Sequence, residues 1–276
     1  MSSRKIVLFK YGGNAMSNPA LQARVLANIC ALKAKGYALV IAHGGGPFIQ
    51  ARLDEANIPS EFIDGQRKTS PAALEQVEMA LKGQVNGQLV AIINRLGHRA
   101  VGLSGKDGRL VVARKRWHQR QGEPVDLGRV GDVAAVDPTL IHLLLANDFI
   151  PVIACLAADA AGDTYNINGD LFAGHLAGAL AASHYVVLTD VDGLRRDKDD
   201  PATLLRDVPA SELPRLRAQN VIQGGMIPKA ESCAIALERG AQAAHIINGT
   251  APEQIAALFN GHPAGTTISK PSTIIA

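Results

Sequence analysis

Leu39-Val40-Ile41-Ala42-His43-Gly44-Gly45-Gly46-Pro47 is the stretch on which the fold of this chain turns. A short apolar run of this kind reads as a buried strand. It enters three consecutive glycines, and Pro47 then opens a helical pattern. Glycine has no Cβ, so the backbone can turn sharply there and come close to a ligand. Successive N–H groups in such a turn can point at one spot and bind an anion, and the positive end of the following helix adds to that spot. The stretch is therefore either a cradle for a phosphoryl group or a tight strand-to-helix turn without a ligand. A glycine triplet alone leaves these two readings even.

The same strand-then-helix unit recurs on both sides. Ile6 to Phe9 is a first strand, followed by Lys10-Tyr11-Gly12-Gly13. Open α/β sheets bind ligands at the carboxyl ends of their strands, which makes Lys10 a phosphate-contact candidate. The commoner case is a lysine that only solvates a strand end. Pro19 to Lys35 has helical spacing and is stopped by Gly36. Asn57 to Thr69 has no clear period and is expected to be a loop carrying Arg67, whose forked donors fit a carboxylate. Ser70-Pro71 opens a helix of about six turns with an apolar stripe from Leu74 to Leu96, a dimer element or simply a core face. Gly87 inside it has no evident physical reason.

Ala100 to Leu103 and Ile150 to Ala154 are strands, and Leu110 to Ala113 with Leu127 to Val133 looks like an antiparallel addition. Asn168 or its neighbour caps a helix running to Leu180 that places Asp170 in its first turn, where the helix dipole favours a carboxylate. Tyr185 to Leu188 is a strand ending in Thr189-Asp190-Val191-Asp192-Gly193. Thr203 to Ala218 is expected to be helical and broken by Pro209 and Pro214. Gly224-Gly225-Met226-Ile227-Pro228-Lys229 opens another helix. Thr250 with Glu253 suggests a capping box for the last helix, and Thr266 to Ile268 a final strand. This alternation predicts an α/β fold, a three-layer αβα sandwich on a mainly parallel central sheet. The Ala157–Asp163 loop divides it into two lobes, 1–164 and 165–276.

Composition narrows the function. With 47% hydrophobic and 19% charged residues in 276, the chain has the balance of a soluble globular enzyme. A net charge of +3 does not argue for nucleic acid, and the basic run Arg114-Lys115-Arg116 reads as a solvated turn. Cys30, Cys155 and Cys233 are far apart and suit free thiols in a reducing, cytoplasmic setting. No apolar run approaches the ~18 residues of a membrane span. Walker A, GxGxxG, HExxH and the protein-kinase motifs are absent, no histidine pair has metal-ligand spacing, and His43 reads as a packed strand residue. A dinucleotide oxidoreductase is thereby disfavoured.

Seven motifs, in one order, carry a resemblance over nearly the whole chain. They are Lys10 to Met16, His43 to Pro47, Gly65-Gln66-Arg67, Val101 to Gly108, Asn166-Ile167-Asn168-Gly169-Asp170, Leu188 to Gly193 and Gly224 to Lys229. The chain resembles the amino acid kinase family, of carbamate-kinase-like fold, and within it the branch that phosphorylates N-acetyl-L-glutamate for arginine biosynthesis. The resemblance implies transfer of the γ-phosphoryl of MgATP to a carboxylate, with the amino-acid substrate in the N-terminal lobe and ATP in the C-terminal one. It implies catalytic roles for Lys10, Lys229 and Asp170, and substrate contacts from Gly44, Gly45, Gly46, Arg67, Asn166 and Asn168. Nucleotide contacts would come from Gly12, Gly13, Thr189, Asp190, Val191, Gly193, Leu194, Gly224, Gly225 and Met226. Mg²⁺ would be held mainly by ATP phosphates and water rather than by protein ligands.

Arginine-inhibited members carry an extra N-terminal helix that ties dimers into hexamers. With the first strand at Ile6, the expectation is an arginine-insensitive homodimer. Gly169, Gln66, Arg129 and Gly87 depart from the family's usual residues. Two other readings are a kinase for carrier-protein-linked glutamate or aminoadipate and a non-catalytic ATP or amino-acid sensor.

Overall fold

Strands of parallel sheets that are covered on both faces are apolar nearly throughout, and the strands of this chain have that character. The computed structural model describes residues 4–16, 18–63, 65–120 and 122–270. Its strands are β1 (Ile6–Tyr11), β2 (Ala38–His43), β3 (Glu61–Ile63), β4 (Gln66–Lys68), β5 (Ala100–Ser104), β6 (Val111–Arg120) and β7 (Glu123–Val136), then β8 (Ile150–Ala154), β9 (Leu156–Ala158), β10 (Thr164–Ile167), β11 (His184–Thr189), β12 (Asp207–Pro209), β13 (Ala244–Asn248) and β14 (Thr266–Ser269). The helices are α1 (Pro19–Ala31), α2 (Gly46–Glu55), α3 (Pro71–Glu78), α4 (Asn86–Arg95), α5 (Thr139–Ala146), α6 (Gly169–Ala179), α7 (Leu213–Ala218), α8 (Met226–Glu238) and α9 (Glu253–Phe259).

Among the described residues the central sheet has eight strands in the order β12-β14-β13-β11-β1-β2-β8-β5. Every pairing is parallel except β13 with β14. Successive side chains of a strand point to opposite faces. Leu8, Val40 and Ala42 accordingly join one core with α6 and α8, while Val7, Phe9, Leu39 and Ile41 join another with α1, α4 and α9. The three-layer αβα expectation holds.

Several local expectations need correction. Asn57 to Thr69 is not a plain loop: β3 and β4 form a short hairpin in which Phe62 faces Arg67. Arg114-Lys115-Arg116 is not a turn but part of β6, where Lys115 pairs with Asp126 at 2.7 Å and Arg116 with Asp132 at 2.6 Å across to β7. The β6–β7 hairpin closes with β9 and β10 into a small barrel. The sequence shows the hairpin but not the closure, because β9 and β10 are three and four residues long. Thr203 to Ala218 is not wholly helical: Asp207–Pro209 is an edge strand beside β14. Proline is tolerated there because an edge strand has one free side. Pro214 lies in the first turn of α7. Thr250 makes no capping box, because α9 begins at Glu253 with Pro252 at the cap position, two residues beyond Thr250, whose hydroxyl donates to Asn248 Oδ1 at 2.6 Å. The long helix from Pro71 contains a π-helical stretch, Met79–Val85, between α3 and α4. Gly87 faces open space, and nothing in the structure explains it.

Helices α6 and α8 pack unusually closely. A Cβ on Gly174 would lie 2.4 Å from the Ser232 carbonyl oxygen and 3.0 Å from its Cα. The glycine thus brings the first turns of the two helices, which carry Asp170 and Lys229, side by side. Gly174→Ala should lower stability by about 1–3 kcal/mol, the usual cost of overpacking, and lower turnover with it. A urea midpoint equal to wild type would show that the helices separate freely.

Candidate active site

The site lies at the carboxyl ends of β1 and β2, where an open α/β sheet binds its ligands. Lys10 ends the apolar run of β1 and is 7% exposed. Asn168 caps α6 by accepting from the N–H groups of Asp170 and Leu171 at 2.9 and 3.2 Å. That cap fixes Asp170 in the first turn, 6% exposed. Lys229 is in the first turn of α8. Lys10 Nζ lies 2.9 Å from Asp170 Oδ1, and Lys229 Nζ lies 3.5 Å from Oδ2. Lys229 also donates to the Gly225 carbonyl at 3.1 Å. Two ammonium groups distant in the chain thus share one buried carboxylate. Burial opposes ionisation of Asp170, but Lys10 and Lys229 outweigh it and hold the carboxyl below the ordinary range.

The sequence analysis missed a second layer behind this triad. The Tyr185 hydroxyl donates to the Asp170 carbonyl at 3.2 Å and lies 3.1 Å from Ser232 Oγ. The Ser232 hydroxyl donates to the Lys229 carbonyl at 2.7 Å. Both side chains are fully buried. They join the first turns of α6 and α8, and the only signal in the sequence is a tyrosine opening an otherwise aliphatic strand.

Two cavities meet at Lys10. One, of about 310 Å³, is lined by Gly44, Gly45, Gly46, Arg67, Asn166 and Asn168 together with Gly169 and Asp170. The other, of about 400 Å³, is lined by Thr189, Asp190, Val191, Gly225, Met226 and Lys229. Lys10, Gly12 and Gly13 line both. Gly193 and Leu194 do not line the second cavity. They pack behind it, where the Leu194 N–H donates to Thr266 Oγ1 at 2.9 Å and Leu194 is 1% exposed. Gly224 lines an adjoining cleft with Gln66, Arg116 and Arg217.

Arg67 is held in place by Gln50 Oε1 at 3.0 Å, by Ser60 Oγ and by the Phe62 ring 4.5 Å from its guanidinium carbon. Gln66 lines the first cavity. Arg129 turns to Asp163 at 2.8 Å and is not among the residues lining it. A Cβ on Gly169 would make ordinary contacts of 3.6 Å, so the smaller residue opens little space. Cys30, Cys155 and Cys233 are buried and free. No cluster of three carboxylate, histidine or cysteine side chains among the described residues is placed to hold a metal ion.

Two cavities that meet at one ammonium group, with a second ammonium lining one of them, suit the passage of an anionic group from one bound molecule to another, the work of a phosphotransferase. The chain belongs to the amino acid kinase family, whose model matches residues 5–248. It is 43% identical to the acetylglutamate kinase of Heliobacterium modesticaldum over 97% of this chain and 93% of that protein. It is 46% identical to that of Moorella thermoacetica, over 91% and 86%. The fold also matches an N-acetylglutamate synthase from Neisseria gonorrhoeae, solved with coenzyme A and N-acetyl-glutamate, at a TM-score of 0.83 and 23% identity. That match covers 97% of this chain and 60% of the synthase.

Proposed function

We propose that the chain transfers the γ-phosphoryl group of ATP to the γ-carboxylate of N-acetyl-L-glutamate, giving N-acetyl-L-glutamyl 5-phosphate for arginine biosynthesis. The observation that carries this reading is the meeting of two cavities at Lys10, with Lys229 on the other oxygen of the same carboxylate. The similarity to acetylglutamate kinases supports the substrate. It favours neither the carrier-linked acceptor nor the non-catalytic sensor.

The lobe of residues 1–164 supplies most of the amino-acid site, joined by Asn166 and Asn168, and that of 165–276 most of the ATP site, joined by Lys10, Gly12 and Gly13. A free γ-carboxylate has a pKa near ~4.3, so it is already ionised at pH 7 and needs no general base. The obstacle is repulsion between two anions. A carboxylate oxygen forms a bond to the γ-phosphorus while the bond to the β–γ bridging oxygen breaks, and ADP leaves with that electron pair. Lys10 stabilises the bridging and γ-phosphate oxygens, Lys229 the leaving side, and the N–H groups of Gly45 and Gly46 the transferred group. Asp170 stays ionised and orients both ammonium groups. Arg67 and Asn166 hold the substrate's α-carboxylate and its neighbours. Gly12, Gly13, Thr189, Asp190, Val191, Gly225 and Met226 flank the nucleotide. Mg²⁺ bound with ATP would be held by phosphate oxygens and water rather than by side chains of this chain, and would supply further positive charge at the phosphates.

No helix among the described residues is long and apolar enough to cross a membrane. Three free thiols support a cytoplasmic site of action. Met79, 51% exposed, and Leu96, 40% exposed, on the long helical rod support a homodimer, expected to sediment at twice 29.0 kDa. The deciding experiment is a hydroxamate assay with MgATP and N-acetylglutamate, glutamate or N-acetylaspartate. Product from N-acetylglutamate alone is expected, and product from glutamate alone would overturn the substrate.

A further inference from the structure

The π-helical stretch Met79–Val85 delivers one polar side chain into the core at its end: Asn86, 2% exposed. Its amide nitrogen lies 2.9 Å from the Val152 carbonyl oxygen, 3.3 Å from that of Leu103 and 2.9 Å from His43 Nε2. Two carbonyl oxygens can only accept, so the amide must turn its NH₂ toward them; its two protons serve the nearer acceptors, the Val152 oxygen and His43 Nε2, and the Leu103 oxygen shares one of them at longer range. His43 Nε2 is then the acceptor, and the ring proton sits on Nδ1. That proton points at the Gly44 carbonyl oxygen, 2.9 Å away. In the other tautomer two donors would face each other at Nε2 and two lone pairs at Nδ1. Burial, with a smaller contribution from Lys82, pushes the His43 pKa down to about 4, so the ring is neutral at pH 7.

The Gly44 carbonyl belongs to the Gly44–Gly45 peptide. In a trans peptide the N–H points opposite to the C=O, and the structure contains no cis peptide among the described residues. Holding that carbonyl toward the buried ring turns the Gly45 N–H away from it. The Gly44 N–H is already given to the Tyr11 carbonyl at 3.1 Å, whereas the Gly45 N–H meets no acceptor among the described groups. Gly45 lines the cavity that receives the amino acid.

We propose that Asn86 is a positioning residue for phosphoryl transfer: by selecting the Nδ1–H tautomer of His43 it locks the Gly44–Gly45 peptide plane and aims the Gly45 N–H at the transferred group. Gly102 makes room for it, since a Cβ there would lie 2.0 Å from Asn86 Oδ1. Leu81 and Val85 of the π-helical stretch back the same turn, at 2.8 and 3.3 Å from where a Gly45 Cβ would be. The proposal rests on the kinase reading for what the N–H is aimed at, but not for the tautomer.

Two measurements test it. Nitrogen-15 NMR of the imidazole in the wild-type enzyme should show the proton of His43 on Nδ1, and a proton on Nε2 would overturn the assignment. In steady-state kinetics, Asn86→Ala should lower kcat by at least about 10-fold and leave the KM for MgATP unchanged, because a transition-state donor is misdirected. Gly102→Ala, which displaces the amide, should do the same. An asparagine at position 43 can place its NH₂ near the position of imidazole Nδ1 and has no tautomer to choose. In a His43→Asn background Asn86→Ala should therefore add little further loss. Folded Asn86→Ala with wild-type kcat, or an undiminished second loss in that background, would sink the proposal. A wild-type enzyme inert toward N-acetylglutamate would instead refute the substrate, and the ring tautomer would still decide the role of Asn86.

Discussion

Lys10→Ala and Lys229→Ala are each expected to lower kcat by at least ~100-fold, the scale for losing one donor that acts in the transition state. The two lysines sit on opposite oxygens of Asp170, Lys10 lining both cavities and Lys229 only the one with Thr189 and Asp190. Charge moves during the transfer from the attacking carboxylate to the bridging oxygen of ATP. An ammonium on each side therefore gains more in the transition state than in the bound ground state. Lys229→Ala should act mainly on kcat, because the leaving oxygen gains its charge only as the bond breaks. Lys10→Ala should also raise the KM for ATP, since in the proposed mechanism that ammonium already meets phosphate oxygens in the ground state. Steady-state kinetics on refolding-competent protein checks this. A variant that keeps most of its turnover would remove its lysine from the mechanism.

Asp170→Asn should have the largest effect on stability. The carboxylate is nearly fully buried and is the shared counter-charge of two ammonium groups. Breaking a buried ion pair by removing one partner typically costs about 3–5 kcal/mol, because a charge is left without compensation. The pH dependence follows from the direction of the shift. The Asp170 carboxyl is held below its unfolded value, so its contribution to stability is fully present above that value, about 3.9. It is lost as pH falls from there through the lower folded pKa. The gap in urea midpoint between wild type and Asp170→Asn should be wide at pH 7 and close in acid below about pH 4. MgATP should narrow it at pH 7, because phosphate oxygens supply the missing negative charge. Equal midpoints at pH 7 would mean that the two lysines do not depend on this carboxylate in the folded chain.

Much of this candidate site is legible in the sequence. Lys10 and the Gly44–Gly46 turn follow strands whose apolar runs are unmistakable, and ligands gather at that end of an open sheet. Asp170 sits two residues after a capping asparagine, so its place in a first turn is local information. Gly193 and Leu194 were a different matter. They end or directly follow the motif that holds Thr189 and Asp190, yet the chain turns away after Val191 and packs them against Thr266. The Thr250 cap failed for a similar reason, since the chain stays in a turn until Pro252 and α9 starts too late for Thr250 to reach its free N–H groups.

By itself, the sequence determined the alternation of strands and helices, the mainly parallel sheet, and the places of Lys10, the Gly44–Gly46 turn and Asp170 at strand and helix ends. All of these rest on interactions between neighbours in the chain: side-chain periodicity, capping, and turns that need glycine. Only the tertiary structure decided that Lys10 and Lys229 share Asp170, that Tyr185 and Ser232 tie two helix starts together, that a small barrel closes beside the cleft, and that Asn86 reaches His43. Those contacts join residues far apart in the chain. They depend on how crossovers and close helix packing place whole elements, and neither periodicity nor capping reports that geometry.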